Sequence, residues 1–337
     1  MFSIRQRLKS QSYLLAVGLF VILTLCLFSI AKASDPLPSW NNGVVKTKIL
    51  QFVSDITNKA SKDYVLPEQR IAVFDNDGTL WVEQPISTQH VFIFDQIKKL
   101  VPNHPEWKTT QPFKALLEGD METVGKFGTK GFLKMIIGTH SGMTATEFAN
   151  EVSQWISKAK HPRFNRLYTK LVYQPQLELL AYLRANGFKT YIISGSGMEF
   201  MRPWTEKIYG IPPEQVVGSS VAVEFKMIDG KPAIIRLPKV NFINNNAGKP
   251  VGIYQHIGRR PILAFGNSDA DIQMVQYTKA GNGKSLGLFL HHNDAKREYA
   301  YDRKGHIGTL DKALDIASEN DWIIVDMKHD WKHILPN

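Results

Sequence analysis

The sequence predicts an α/β fold: a parallel sheet carrying an inserted, mainly helical subdomain and an added β-hairpin. Three observations predict it. Short, mostly apolar runs rich in β-branched residues recur at 71–74, 190–193, 262–265 and 286–290. The first three empty into polar, glycine-containing clusters, namely Asp75-Asn76-Asp77-Gly78, Ser194-Gly195-Ser196-Gly197 and Gly266-Asn267-Ser268-Asp269-Ala270-Asp271. Helical patterns separate the runs. Unbroken apolar strands of this kind are buried on both faces, as in parallel sheets covered by helices.

The first 33 residues stand apart. Arg5, Arg7 and Lys9 precede an almost uncharged stretch at 13–30, and Ala31-Lys32-Ala33 supplies a small-x-small cleavage pattern. Residues 1–33 are therefore expected to be a signal peptide, or an anchor if uncleaved, and the protein to be exported, to a periplasm or cell envelope if bacterial. The only cysteine, Cys26, lies in that stretch, so a processed chain has no disulfide. The formal charge of +10 falls to about +6 once the N-terminal basic residues are removed. No dense basic run interleaved with aromatics accompanies it, which argues against a nucleic-acid partner. A membrane is an expected partner only if the N-terminal segment stays attached. Apolar content of 43% and charged content of 21% suit a sizeable buried core.

Along the remaining chain, residues 34–82 and 173–337 form the expected core and 83–172 the insertion. The stretch between the first two strand runs far exceeds what a βα crossover needs. Within it, Thr144 and Glu147 have capping-box spacing, and Phe148, Val152, Trp155 and Ile156 repeat at helical intervals. A helix over 175–185 ends at Asn186-Gly187, and 216–235 reads as a hairpin around Asp229-Gly230. In the tail, Trp322, Trp331 and the run 323–325 read as one more packed element.

The strand ends carry the chemistry, since ligands of open α/β sheets bind at the carboxyl ends of the strands. Asp75 and Asp77 flank Asn76, and the Gly78-Thr79 turn lets both reach one site. Two close carboxylates repel unless a cation intervenes, and oxygen-rich surroundings favour Mg²⁺. Such a pair suits covalent phosphoryl transfer, one carboxylate attacking phosphorus and the other handling protons. Ser194, with the backbone N–H of neighbours such as Gly195, offers donors for phosphoryl oxygens. Lys249 precedes a helix feeding the third run, and Asn267, Asp269 and Asp271 offer oxygen ligands. Glu83, Gln84 and His90 could face a leaving group, although solvated loop positions are the simpler expectation.

In order and placement, this D-x-D-G-T segment, serine, lysine and Gly/Asp-rich loop resemble the haloacid dehalogenase superfamily. The closest likeness is the phosphoserine-phosphatase-like branch, with a cap inserted after the first motif. The resemblance implies a Rossmann-like core over roughly 65–295 and a Mg²⁺-dependent phosphatase acting on small phosphorylated substrates. It implies Asp75 as nucleophile, Asp77 as general acid and then base, Ser194 and Gly195 as phosphate binders, and Lys249 as the neutralising cation. Asp75, Asp77 and Asp271 are implied around the metal. Asn267 departs from the pattern by occupying the place of a ligand aspartate, so Asn267 or Asp269 completes the shell. A phosphotransferase or mutase using the same aspartyl-phosphate, or a non-catalytic phospho-ligand domain, are the competing expectations.

Overall fold

A computed structural model describes residues 34–336, so the signal-peptide expectation and Cys26 lie outside the described residues. After a helix α1 (Val44–Thr57), the first strand β1 (Ile71–Phe74) enters the middle of the sheet. It is flanked in parallel by β2 (Lys189–Gly197) and β5 (Leu263–Gly266). Outside these lie β3 (Val216–Ile228), parallel to β2, and β6 (Leu286–Asn293), parallel to β5. The edges are β4 (Lys231–Phe242), antiparallel to β3, and β7 (Ala300–Tyr301), antiparallel to β6. The tail supplies β8 (Ile323–Asp326), also parallel to β6.

Alternation within β1 explains why its run is apolar without interruption. Ala72 and Phe74 join one buried cluster, while Ile71 and Val73 join another on the opposite face. The first cluster is covered by α7 (Gln174–Ala185) and α8 (Met198–Tyr209), the second by α9 (Gly248–Ile257) and α10 (Ile272–Lys279).

Between β1 and α7 the chain is helical, as expected. It runs through α2 (Thr88–Leu100), α3 (Phe113–Glu118), α4 (Met121–Lys126), α5 (Gly128–His140) and α6 (Ala145–Ile156). The capping box forms as its spacing predicts, Thr144 and Glu147 each holding the other's backbone N–H. The hairpin is longer than the expected 216–235, because β4 continues pairing to Phe242 across two register shifts. Its base docks on the helical segment: the Arg236 N–H donates to the Met143 carbonyl, and the Gly142 N–H donates to the Arg236 carbonyl.

Candidate active site

Strand ends β1, β2 and β5 converge with the N-terminus of α9 on one buried cluster. Asp75 extends the ladder past β1 by donating its N–H to Phe265 at 2.9 Å, and its side chain is 10% exposed. The turn that follows requires glycine. Gly78 has φ of +74°, and a Cβ there would stand 2.1 Å from Asn267 Nδ2 and 2.3 Å from Glu83 Oε1. From beneath, His292 Nε2 donates to the Gly78 carbonyl at 2.7 Å.

Lys249, 1% exposed, lies between two carboxylates. Its Nζ is 2.6 Å from Asp75 Oδ1 and 2.5 Å from Asp271 Oδ1. Burial disfavours its charge, but Asp271 and Asp75 outweigh that and hold its pKa above the ordinary lysine value. The lysine stays charged. Asp271 Oδ2 accepts from the N–H groups of Asn267 and Ser268 and from the Ser268 hydroxyl. With Oδ1 on Lys249, Asp271 orients the lysine and the 266–268 loop.

Asp77 is held from two sides. Trp81 Nε1 donates to Oδ1 at 2.9 Å and the Ser196 hydroxyl to Oδ2 at 2.6 Å. Burial raises its pKa against these donors, which favours the protonated form a general acid needs. Asp75 is pushed up to about 7, chiefly by burial, with Lys249 pulling the other way. Ser194 is 1% exposed and its hydroxyl accepts the Ser196 N–H at 3.1 Å, while Gly195 lines the same cavity as Asp75 and Asp77. The structure therefore brings together Asp75, Asp77, Ser194, Gly195, Lys249, Asn267 and Asp271.

Asp269 does not join them. Its oxygens accept the backbone N–H groups of Asp311, Lys312 and Ala313, capping the helix α11 (Lys312–Ile316). Of the two, Asn267 is the one that faces the cluster, its Oδ1 accepting the Thr79 hydroxyl at 3.0 Å.

Glu83 corrects a second expectation. It is 4% exposed rather than solvated, and its Oε1 accepts from Asn267 Nδ2 at 2.7 Å and from the Tyr301 hydroxyl at 2.9 Å. Burial, then the charge of Asp77, pushes its pKa up to about 8. His90 is half-buried: it stacks on Phe132 at 3.7 Å, and burial lowers its pKa to about 4, so it is neutral.

A family profile described as haloacid dehalogenase-like hydrolase matches residues 72–276. The chain belongs to the haloacid dehalogenase-like hydrolases. No curated protein matches it. Among solved structures, it resembles a conserved functionally unknown protein from Anaerococcus prevotii DSM 20548 at 17% identity and TM-score 0.48, covering 83% of this chain and 91% of that one. A protein of unknown function from Bordetella pertussis Tohama I matches at 12% identity and TM-score 0.47, covering 77% and 99%. A phosphoserine phosphohydrolase-like protein from Francisella tularensis subsp. tularensis SCHU S4 matches at 16% and 0.37, covering 74% and 99%. At such identities and scores these likenesses add nothing to the family assignment.

The donor set of this hydrolase suits a hard divalent cation. Asp75, Asp77 and Glu83 all have raised pKa values, burial being the largest cause in each, and Lys249 is the cation that stands among them. Carboxylates so crowded gain from an added cation. Among the described residues no three acidic, His or Cys side chains form a ready-made cage.

Proposed function

We propose that the protein is an exported, Mg²⁺-dependent phosphomonoesterase working through an aspartyl-phosphate on Asp75. One observation carries this reading. The two aspartates stand at the carboxyl end of the central strand, with a buried lysine clamped between Asp75 and Asp271 and a large cavity above them. Export rests on the basic, apolar and Ala-x-Ala pattern of residues 1–33.

Lys249 holds Oδ1 of Asp75, which leaves Oδ2 as the attacking atom. As the bond from Oδ2 to phosphorus forms, the bond from phosphorus to the ester oxygen breaks. Asp77 gives its proton to that departing oxygen, and burial shifts its pKa upward, the direction an acid needs. It then takes a proton from water attacking the aspartyl-phosphate, releasing phosphate and restoring Asp75. Ser194 and the Gly195 loop receive the phosphoryl oxygens, and Lys249 offsets their charge. Asp75, Asp77 and Asn267 would hold Mg²⁺, with Asp271 bracing the lysine and loop behind them. Once bound, the cation supplies charge neutralisation at phosphoryl oxygens.

Phosphate release from a panel of phosphomonoesters, by wild type and Asp75→Asn, with Mg²⁺ or with EDTA, tests the proposal. Wild type should turn over with Mg²⁺ only. The variant should lose at least about a thousandfold, the scale of removing a covalent nucleophile. Undiminished turnover by Asp75→Asn would sink the mechanism.

A further inference from the structure

The cavity above the aspartates is larger and more apolar than a small ester needs. It encloses about 1080 Å³, and helices α2, α4 and α5 line it with Phe94, Val124, Phe132, Leu133, Met135 and Ile136. Ligand pockets for drug-sized molecules span about 300–1000 Å³. One wall comes from the hairpin, and there the cavity meets Arg236.

Arg236 is 3% exposed and has its guanidinium 3.9 Å over the Phe148 ring. Its Nη1 forms an ion pair with Glu199 Oε2 at 3.7 Å, too long for a hydrogen bond, and neither Nε nor Nη1 has a hydrogen-bond partner. A guanidinium desolvated in this way calls for an oxygen acceptor from the ligand.

The hairpin continues the same face outward. Register pairs Arg236 with Val223, Ile234 with Phe225 and Pro232 with Met227, and directly opposed residues share one face. Toward the tip that face emerges uncovered, with Phe225 65%, Met227 59% and Ile234 43% exposed. An apolar track thus runs from the catalytic cavity, past a buried guanidinium with two unmade hydrogen bonds, to an exposed apolar tip.

We infer that the substrate is a lipid phosphate: a phosphomonoester whose alcohol carries a long apolar chain and one oxygen acceptor, such as an ester carbonyl. The chain occupies the cavity and leaves along the hairpin face, and Arg236 holds the acceptor. This rests on the phosphatase reading and replaces its expectation of small esters with a larger, apolar leaving group.

Two measurements on the full chain separate the inference from the reading beneath it. Calorimetric titration with propyl-, octyl- and dodecylphosphonate, which cannot be hydrolysed, reads the cavity without turnover. Affinity should rise about fourfold for each methylene that enters. Equal affinity for the propyl and octyl compounds overturns the inference. Phosphate release is then compared among glycerol phosphate, its 1-acyl ester and its 1-alkyl ether. The acyl ester should exceed glycerol phosphate at least about a hundredfold in kcat/KM, the scale of only a few buried methylenes. Arg236→Met should erase the preference for acyl over alkyl while keeping the preference for chain length. Glycerol phosphate turned over as well as its lipid esters overturns the inference and leaves the phosphatase standing. Graded phosphonate affinity with no phosphate release from any ester supports the lipid site and overturns the phosphatase instead.

Discussion

Lys249→Met removes one positive charge from the most enclosed point of the site while keeping an unbranched chain of similar length. The lysine side chain is 2% exposed, and it faces Asp75 and Asp271, whose side chains are 10% and 0% exposed. Breaking a buried ion pair by removing one partner costs about 3–5 kcal/mol, because the surviving charge is left uncompensated. Here two carboxylates survive, and protonation is their only relief. Without the lysine the folded-state pKa of Asp75, already raised by burial, rises further above its unfolded value. The folded variant therefore holds protons more tightly than the unfolded chain does, so its stability is greatest at low pH and is lost as pH rises. Urea unfolding followed through tryptophan fluorescence measures this, since the chain has 7 Trp. At pH 8 without added metal the variant should be about 3–5 kcal/mol less stable than wild type, and the gap should narrow toward pH 5. Phosphate release should fall about a hundredfold to a thousandfold, as for loss of one group stabilising transition-state charge. A stability gap that stays constant from pH 5 to pH 8, or shrinks as pH rises, would refute the electrostatic account of this cluster.

Other perturbations read single contacts. Glu83 has a folded pKa of about 8 against an ordinary 4.5, so its contribution is complete below pH 4.5 and lost as pH rises through 8. In chelator, thermal unfolding of Glu83→Gln should lose that part of the decline, and a slope unchanged from wild type would count against burial as its cause. Ser196→Ala removes the donor at 2.6 Å from Asp77 Oδ2, so the Asp77 pKa should rise further and the basic limb of the pH–rate profile should move to higher pH. Movement to lower pH would contradict the assignment of Asp77 as the acid. Asp269→Ala should cost about 1–2 kcal/mol by uncapping α11, with metal affinity in calorimetry unchanged. A large loss of metal affinity would return Asp269 to the ligand shell.

What was legible in the sequence follows the range of the interactions involved. β1 could be read because each of its residues is buried on one face or the other, so local composition reports the environment directly. The Thr144–Glu147 capping box could be read because both partners sit within one turn of helix. Asp75, Ser194 and Lys249 could be named because each stands at the end of such an element. Asp269 misled for the opposite reason: its partners Asp311, Lys312 and Ala313 lie more than forty residues away, and nothing local marks a carboxylate as a cap for them. Glu83 looked like a solvated loop residue because its burial is imposed by Tyr301 and Asn267. The clue that could have found it was already visible: the site lacks a carboxylate at Asn267, and an acidic residue soon after the first motif is a candidate to replace it.

That relocation of charge has a physical rationale. Asp75, Asp77 and Asp271 already share one enclosed space with a single lysine. A fourth aspartate at position 267 would add a charge beside groups whose pKa values burial has already raised. Asparagine keeps a carbonyl oxygen for a cation yet adds no repulsion, and its amide donates to Glu83. Glu83, with a pKa near 8, is neutral at ordinary pH and becomes charged only if positive charge arrives nearby. The carboxylate that an aspartate at 267 would hold permanently is thus present conditionally, which lets the cluster remain folded with Lys249 as its one cation. On this argument Asn267→Asp should lower stability in chelator and recover it with Mg²⁺, whereas a variant equally stable in both would show that the asparagine has no electrostatic role.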